Sequence, residues 1–263
     1  MKENNSRITL LRIMNLVFFL GMITVNALAN ILPINGLNTG EISDFYPNLF
    51  TPAALTFSIW GVIYLLLALF ILYQFGLMGG KESTPLIGEI GVWFSVSCAA
   101  NMLWILSWHH LKIGLSLIWM LLLLVSLIVI AGKVNGVSEA KKGFFLKLPF
   151  FVYFGWITVA TIANVTAFLV DAGWSGFGLS EADWTVVILA VGTVIACSAV
   201  FRFKSAAYGF VVIWAYAGII AKHLSPNGFH GAFPFVIAAA AICIVIILID
   251  CFYVLFRRRR SRD

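Results

Sequence analysis

Residues 113–132 read IGLSLIWMLLLLVSLIVIAG, twenty residues without a charge or a proline, held between Lys112 and Lys133. At about 1.5 Å of rise per residue this stretch makes a helix about 30 Å long, the thickness of a bilayer's hydrocarbon core. Apolar residues fall on all its faces, so no side of it suits water. The pattern recurs. Stretches at 10–30, 52–76, 89–108, 148–170, 184–201, 206–222 and 233–255 bring the total to eight. Composition agrees: 62% of the 263 residues are hydrophobic and 11% are charged, against about 45–50% and about 25% in soluble domains. The expected fold class is an all-α integral membrane protein with about eight crossings.

The formal net charge of +6 invites a nucleic-acid reading, but the placement of the charges argues against one. With the N-terminus inside, Lys2, Arg7, Arg12, Lys81, Lys133, Lys141, Lys142, Lys147, Arg202, Lys204 and the five arginines after Phe256 all lie inside. Lys112 and Lys222 lie outside, a count of 15 against 2. This is the bias of the positive-inside rule, and it places both termini in the cytoplasm. Glu41, Asp44, Asp171, Glu181 and Asp183 fall on the outer side. The expected location is the plasma (inner) membrane, with lipid and no nucleic acid as partner. Arg257, Arg258, Arg259 and Arg260 form a juxtamembrane cluster suited to anionic lipid.

The first stretch shares with signal peptides a basic start and a small-x-small end, Ala27-Leu28-Ala29. Its length and its Asn26 and Asn30 favour a retained helix. Cys98, Cys197, Cys243 and Cys251 lie inside apolar stretches without C-x-x-C spacing and read as small buried residues. The first outer loop, 31–51, combines turn formers with Phe45, Tyr46, Leu49 and Phe50. Such a loop folds as a lid more often than it dangles. The outer loop 171–183 is a natural break between five helices and three.

Aromatic and amide side chains recur at helical spacing in the first five stretches. Trp60 and Tyr64 share a face of the second. Asn101, Trp104 and Trp108 share one of the third, Trp156, Ala160 and Asn164 one of the fifth, and Asn26 and Asn30 one of the first. Trp60 lies roughly 12 Å below the outer end of its helix, and Asn101 and Asn164 roughly 9–10 Å below theirs. An indole N–H or carboxamide facing lipid lacks a partner, at a cost of about 1–3 kcal/mol, so these groups face the bundle interior. Two readings stand here. One is interhelical packing and hydrogen bonding; the other is a pocket with flat walls for a planar, mostly apolar ligand. Trp93 and Trp184, near segment ends, read as interfacial belt residues.

Pro52 followed by Phe57-x-x-Trp60-Gly61-x-x-Tyr64 resembles the second helix of the translocator protein / tryptophan-rich sensory protein (TspO/MBR) family. Asn101-x-x-Trp104 is similar to its third helix, and Pro149, Tyr153, Trp156, Ala160-Thr161 and Asn164 are similar to its fifth. The resemblance implies a five-helix bundle over 1–171 that binds porphyrins beneath its first loop. It makes Trp60, Tyr64, Asn101, Trp104, Trp156, Ala160 and Asn164 the ligand-binding residues. The three helices of 172–263 stand as an addition with a basic tail. Leu49, Thr51 and Ala54 replace the tryptophan and second proline that often precede the second-helix motif. The sterol motif of animal members is missing after Asn164; Leu248, Tyr253 and Arg257 match it only loosely.

The four histidines, His109, His110, His223 and His230, fall at the outer ends and read as surface residues. No carboxylate or cysteine stands at ligand spacing beside them, so no metal is expected. Asp250 is the acidic residue within a span, expected to pair with the arginine cluster or to snorkel. Gly91, Ser95 and Ala99 form a small-xxx-small strip suited either to a homodimer or to packing within one subunit. No catalytic or phosphate-binding signature is present. The functional expectation is a membrane-embedded binding protein, sensor or carrier, for a planar hydrophobic molecule such as a porphyrin or other tetrapyrrole, without enzymatic activity or a resident cofactor. Its rivals are a secondary transporter of a small molecule and a tryptophan-dependent porphyrin-degrading activity.

Overall fold

Residues 2–32, 34–78, 84–137 and 140–260 are described in a computed structural model, with side chains for all of these except 2–5, 84, 140–142 and 258–260. Lys81 and Arg262 therefore lie outside the described residues. So do the side chains of Lys2, Lys141, Lys142, Arg258, Arg259 and Arg260. The helices are α1 (Lys2–Ile31), α2 (Thr39–Ser43), α3 (Ile59–Gln74), α4 (Thr84–His109), α5 (Ile113–Val134), α6 (Ala140–Leu146), α7 (Leu148–Asp171), α8 (Glu181–Phe203), α9 (Ala206–Leu224) and α10 (Pro234–Arg260). Among the described residues eight are long and apolar enough to span a bilayer. The short α2 sits in the first outer loop and α6 in an inner one.

α4 packs between α1 and α5, and α7 packs against α5, α3 and α9. Buried residues run without a break from Pro149 to Val159 on α7. A helix in lipid normally leaves one face to the acyl chains, so this stretch is covered on every side. Its last cover is α9. The Tyr208 hydroxyl donates to Thr158 Oγ1 at 2.8 Å. Gly155 permits the approach, because a Cβ there would stand 2.8 Å from the Tyr208 carbonyl oxygen. One apolar core runs through the first five spans and the last three.

Polar groups inside the bundle are paired between helices. In the inner half, the Asn15 amide donates to Gln74 Oε1 (3.0 Å) and its oxygen accepts from Ser95 Oγ (2.9 Å). A Cβ on Gly91 would lie 3.5 Å from Asn15 and Leu11. Gly91 and Ser95 of the small-residue strip thus pack on α1 of the same chain, which accords with the reading of the strip as packing within one subunit. In the outer half, Asn26 Nδ2 donates to Asn101 Oδ1 at 2.6 Å, and Asn101 Nδ2 donates to the Tyr153 hydroxyl at 3.0 Å. These bonds tie α1, α4 and α7 at one depth. Asn101→Leu should cost about 2 kcal/mol, because it leaves the buried Tyr153 hydroxyl without a partner, at about 1–3 kcal/mol, and removes one of two bonds from Asn26 Nδ2, which keeps the Met22 carbonyl. Adding Asn26→Leu should cost less than the sum. Thermal unfolding of the purified variants in micelles measures both.

Candidate functional site

The first outer loop is a folded lid. Asn38 caps α2, accepting from the Gly40 and Glu41 amides at 3.0 Å each while Glu41 reaches back to the Asn38 N–H. Ile42 and Phe50 are fully buried, with Leu49 and Tyr46 nearly so, whereas Phe45 points outward. Asn48 Oδ1 accepts from the Phe50 and Thr51 amides at 3.0 and 2.9 Å, which folds the chain sharply before Pro52. Burial and the nearby Asp171 carboxylate push the Tyr46 phenol above its usual pKa, keeping the ring neutral against Trp108.

Two histidines hold the lid, which corrects their reading as surface residues. His109 Nδ1 faces the Ile34 carbonyl at 3.1 Å, and its Nε2 faces Thr39 Oγ1 at 3.1 Å. A neutral ring with its proton on Nδ1 satisfies both contacts. His223, at the outer end of α9, meets the Leu49 carbonyl through Nε2 at 2.9 Å. Both rings are fully buried because the lid and the helix ends close over them; His110 and His230 remain exposed. Lys222 adds an ion pair with Asp44 at 3.6 Å. The Ala53 N–H donates to the Gly218 carbonyl at 3.0 Å, and the Trp214 indole donates to the Thr56 carbonyl at 2.9 Å. The helices after residue 172 thus fasten the far edge of the lid.

Beneath the lid is a cavity of about 60 Å³ between α3, α4 and α7. Trp60 is its centrepiece, stacked on Tyr64 (5.6 Å, 24°) and on Trp104 (5.9 Å, 27°), with Trp156 edge-on at 6.1 Å and 84°. Trp104 continues the stack to Trp108 at 6.4 Å. Of the residues expected at the site, Trp60, Trp104, Trp156, Ala160 and Asn164 line the cavity. Tyr64 backs Trp60 without reaching the cavity, and Asn101 is spent in its bonds to Asn26 and Tyr153. Asn164 exchanges hydrogen bonds with Ser116, donating at 3.1 Å and accepting at 3.3 Å.

The lining also includes Trp108, Thr39, Ser43, Thr51 and Phe57, together with Ala163 and Ala167 on α7. The two alanines continue the spacing of Trp156, Ala160 and Asn164 and were findable from it. The lid residues were not, since no local pattern tells which loop residues turn inward.

Among the described residues, two polar atoms of side chains in this wall have no hydrogen-bond partner. The indole N–H groups of Trp104 and Trp156 are buried and hydrogen-bonded to no protein atom, in side chains only 6% and 2% exposed. A buried donor left this way is costly, and native structures leave few. Both donors belong to side chains that line the same cavity.

Elsewhere, Asp250 Oδ2 is buried without a hydrogen-bond partner, and among the described residues Arg257 donates to the Tyr253 hydroxyl (3.3 Å) instead of pairing with it. Arg257 is therefore not its partner, and the side chains of Arg258, Arg259 and Arg260 lie outside the described residues. Trp184 is more than a belt residue: its indole donates to the Gly176 carbonyl at 2.6 Å. The four cysteines are free thiols.

A family model described as TSPO-like protein matches residues 12–253, a span that includes the last three helices left out of the five-helix resemblance. No curated protein and no solved structure matches the chain. With a matched family model over most of its length, eight spanning helices and an aromatic cavity under a folded lid, the chain belongs to the TSPO-like family of membrane-embedded ligand-binding or transport proteins.

Proposed function

We propose that this protein is a binding protein, sensor or carrier, of the plasma membrane for a flat hydrophobic molecule bearing hydrogen-bond acceptors, a porphyrin being the leading case. The observation that carries this reading is the pair of unpartnered indole donors, Trp104 Nε1 and Trp156 Nε1, on a cavity walled by Trp60 and Trp108. Stacked indoles accept a planar ring on their faces, and the two donors fix its orientation by meeting a carboxylate, carbonyl or imine nitrogen.

The cavity as it stands has room for about two waters, while a ligand of this class needs a site of about 300–1,000 Å³. On this proposal the cavity must widen to take its ligand. Binding requires the Trp60 stack to open or the lid to lift.

The intramembrane carboxylate that a coupled transporter would use, Asp250, is absent from the cavity lining and lies on α10, sixteen residues below its outer end and roughly 24 Å deeper. Binding is accordingly favoured over coupled transport. Light-dependent degradation of the ligand would be recognised by product formation under illumination.

Titration of the purified protein with protoporphyrin IX should quench tryptophan fluorescence saturably at one site. The dimethyl ester should bind about tenfold more weakly, since hydrogen bonds to charged acceptors are worth about twice those to neutral ones. Quenching that rises linearly without saturation would sink the assignment.

A further inference from the structure

A second cavity, of about 280 Å³, opens on the other side of the lid, between the outer halves of α7 and α8. Pro47, Asn48 and Leu49 of the lid form one wall. Thr166 and Leu169 of α7 face Thr185 and Ile188 of α8, and Trp174 and Trp184 close the outer end beside Glu181. From Glu181 to Ile188 is seven residues, so the cavity reaches roughly 10 Å into the outer leaflet. α7 and α8 touch little, which is why the space exists.

Its outer end is built rather than incidental. Gly176, at φ +68°, occupies a backbone region open to glycine, and a Cβ there would stand 3.1 Å from the Trp184 indole. With no Cβ in the way, the indole lies on the backbone and donates to the Gly176 carbonyl. Trp174 packs against it at 4.9 Å and 59°. The result is a fixed aromatic wall next to a carboxylate. Among the described residues Glu181 has no cationic partner, while the outer-side Lys222 is engaged with Asp44. An aromatic wall and a carboxylate at the mouth of an apolar slot match one chemistry, an organic cation with a flat or extended apolar body.

We propose that the α7–α8 cavity binds an ammonium-bearing amphiphile, with the cation at Glu181, Trp174 and Trp184 and the apolar part between Leu169 and Ile188. The source is either a lipid headgroup or a free amine, and the chemistry is shared. The two cavities share Asn48 but no aromatic residue, and this site stands whether or not a porphyrin binds under the lid.

The test is equilibrium dialysis of the full-length protein in maltoside micelles at pH 7 with 1-naphthylmethylamine and its neutral counterpart 1-naphthylmethanol, against protein-free micelles. The amine should bind about fivefold tighter than the alcohol, the size expected of one exposed ion pair and one cation–π contact. Glu181→Gln, a change at an exposed position, should abolish that preference while leaving alcohol binding and protoporphyrin quenching unchanged. Trp184→Leu should weaken both probes. Competition by added phosphatidylethanolamine assigns the site to a headgroup, and its absence assigns it to a free amine. Equal affinity for the two probes, or a preference that survives Glu181→Gln, overturns the proposal.

Discussion

Replacing Trp104 and Trp156 together by phenylalanine should weaken protoporphyrin binding about a hundredfold and leave the unliganded protein as stable as before. The ring faces survive the change, so stacking is largely kept and the N–H donors are lost. Each hydrogen bond to a charged acceptor contributes about 1.5–3 kcal/mol, and about 1.4 kcal/mol is tenfold. The free protein loses two donors that had no protein partner, which relieves a desolvation cost and offsets the smaller ring. A packing role predicts the opposite pair of results, with stability falling and affinity barely moving. Following the Soret band during titration, together with thermal unfolding of the same samples, separates them. An affinity within threefold of the parent would refute the donor assignment.

Gly218→Val should be the most damaging single change near the lid, costing about 3–4 kcal/mol. A Cβ at 218 collides with the Thr56 side chain, and Thr56 lies in the tight turn Ala54–Ser58 that leads into α3. The surrounding contacts leave no room to retreat. Ala53 is bonded to the Gly218 carbonyl, Thr56 to Trp214, Leu49 to His223, and Phe50 packs on Tyr216 at 6.4 Å. Overpacking in a tight core costs about 1–3 kcal/mol by itself, and displacing the turn breaks hydrogen bonds besides. A lowered unfolding temperature and faster proteolysis within 32–53 are the expected readouts. An unchanged melting curve would show that the lid is not seated on α9.

The spans were legible because length and hydropathy act locally, and a stretch such as 113–132 has one favourable environment. The cavity wall was legible in part for a related reason. Trp156, Ala160 and Asn164 share a face by helical geometry whatever surrounds them, and the structure turns that face inward. Asn101 shared the right face of α4 with Trp104, yet its partners Asn26 and Tyr153 come from two other helices. Whether an amide serves a ligand or its neighbours depends on helix order in the bundle. The histidines show the same limit: His223 and Leu49 are separated by 174 residues, and nothing near either announces the other.

The unbroken burial of 149–159 also orders events at the ribosome. Helices reach the membrane in sequence, N-terminal first, so α7 arrives while α9 is still unmade. Until then its Gly155 face is bare to lipid, and the lid has neither Gly218 nor His223 to fasten to. The lid over the chamber lined by α3, α4 and α7 is held at its near edge by α4 but is fastened at its far edge by residues translated after all of the walls. The candidate site therefore reaches its final form late in biogenesis, and a chain halted before α9 would hold its lid by the α4 contacts alone.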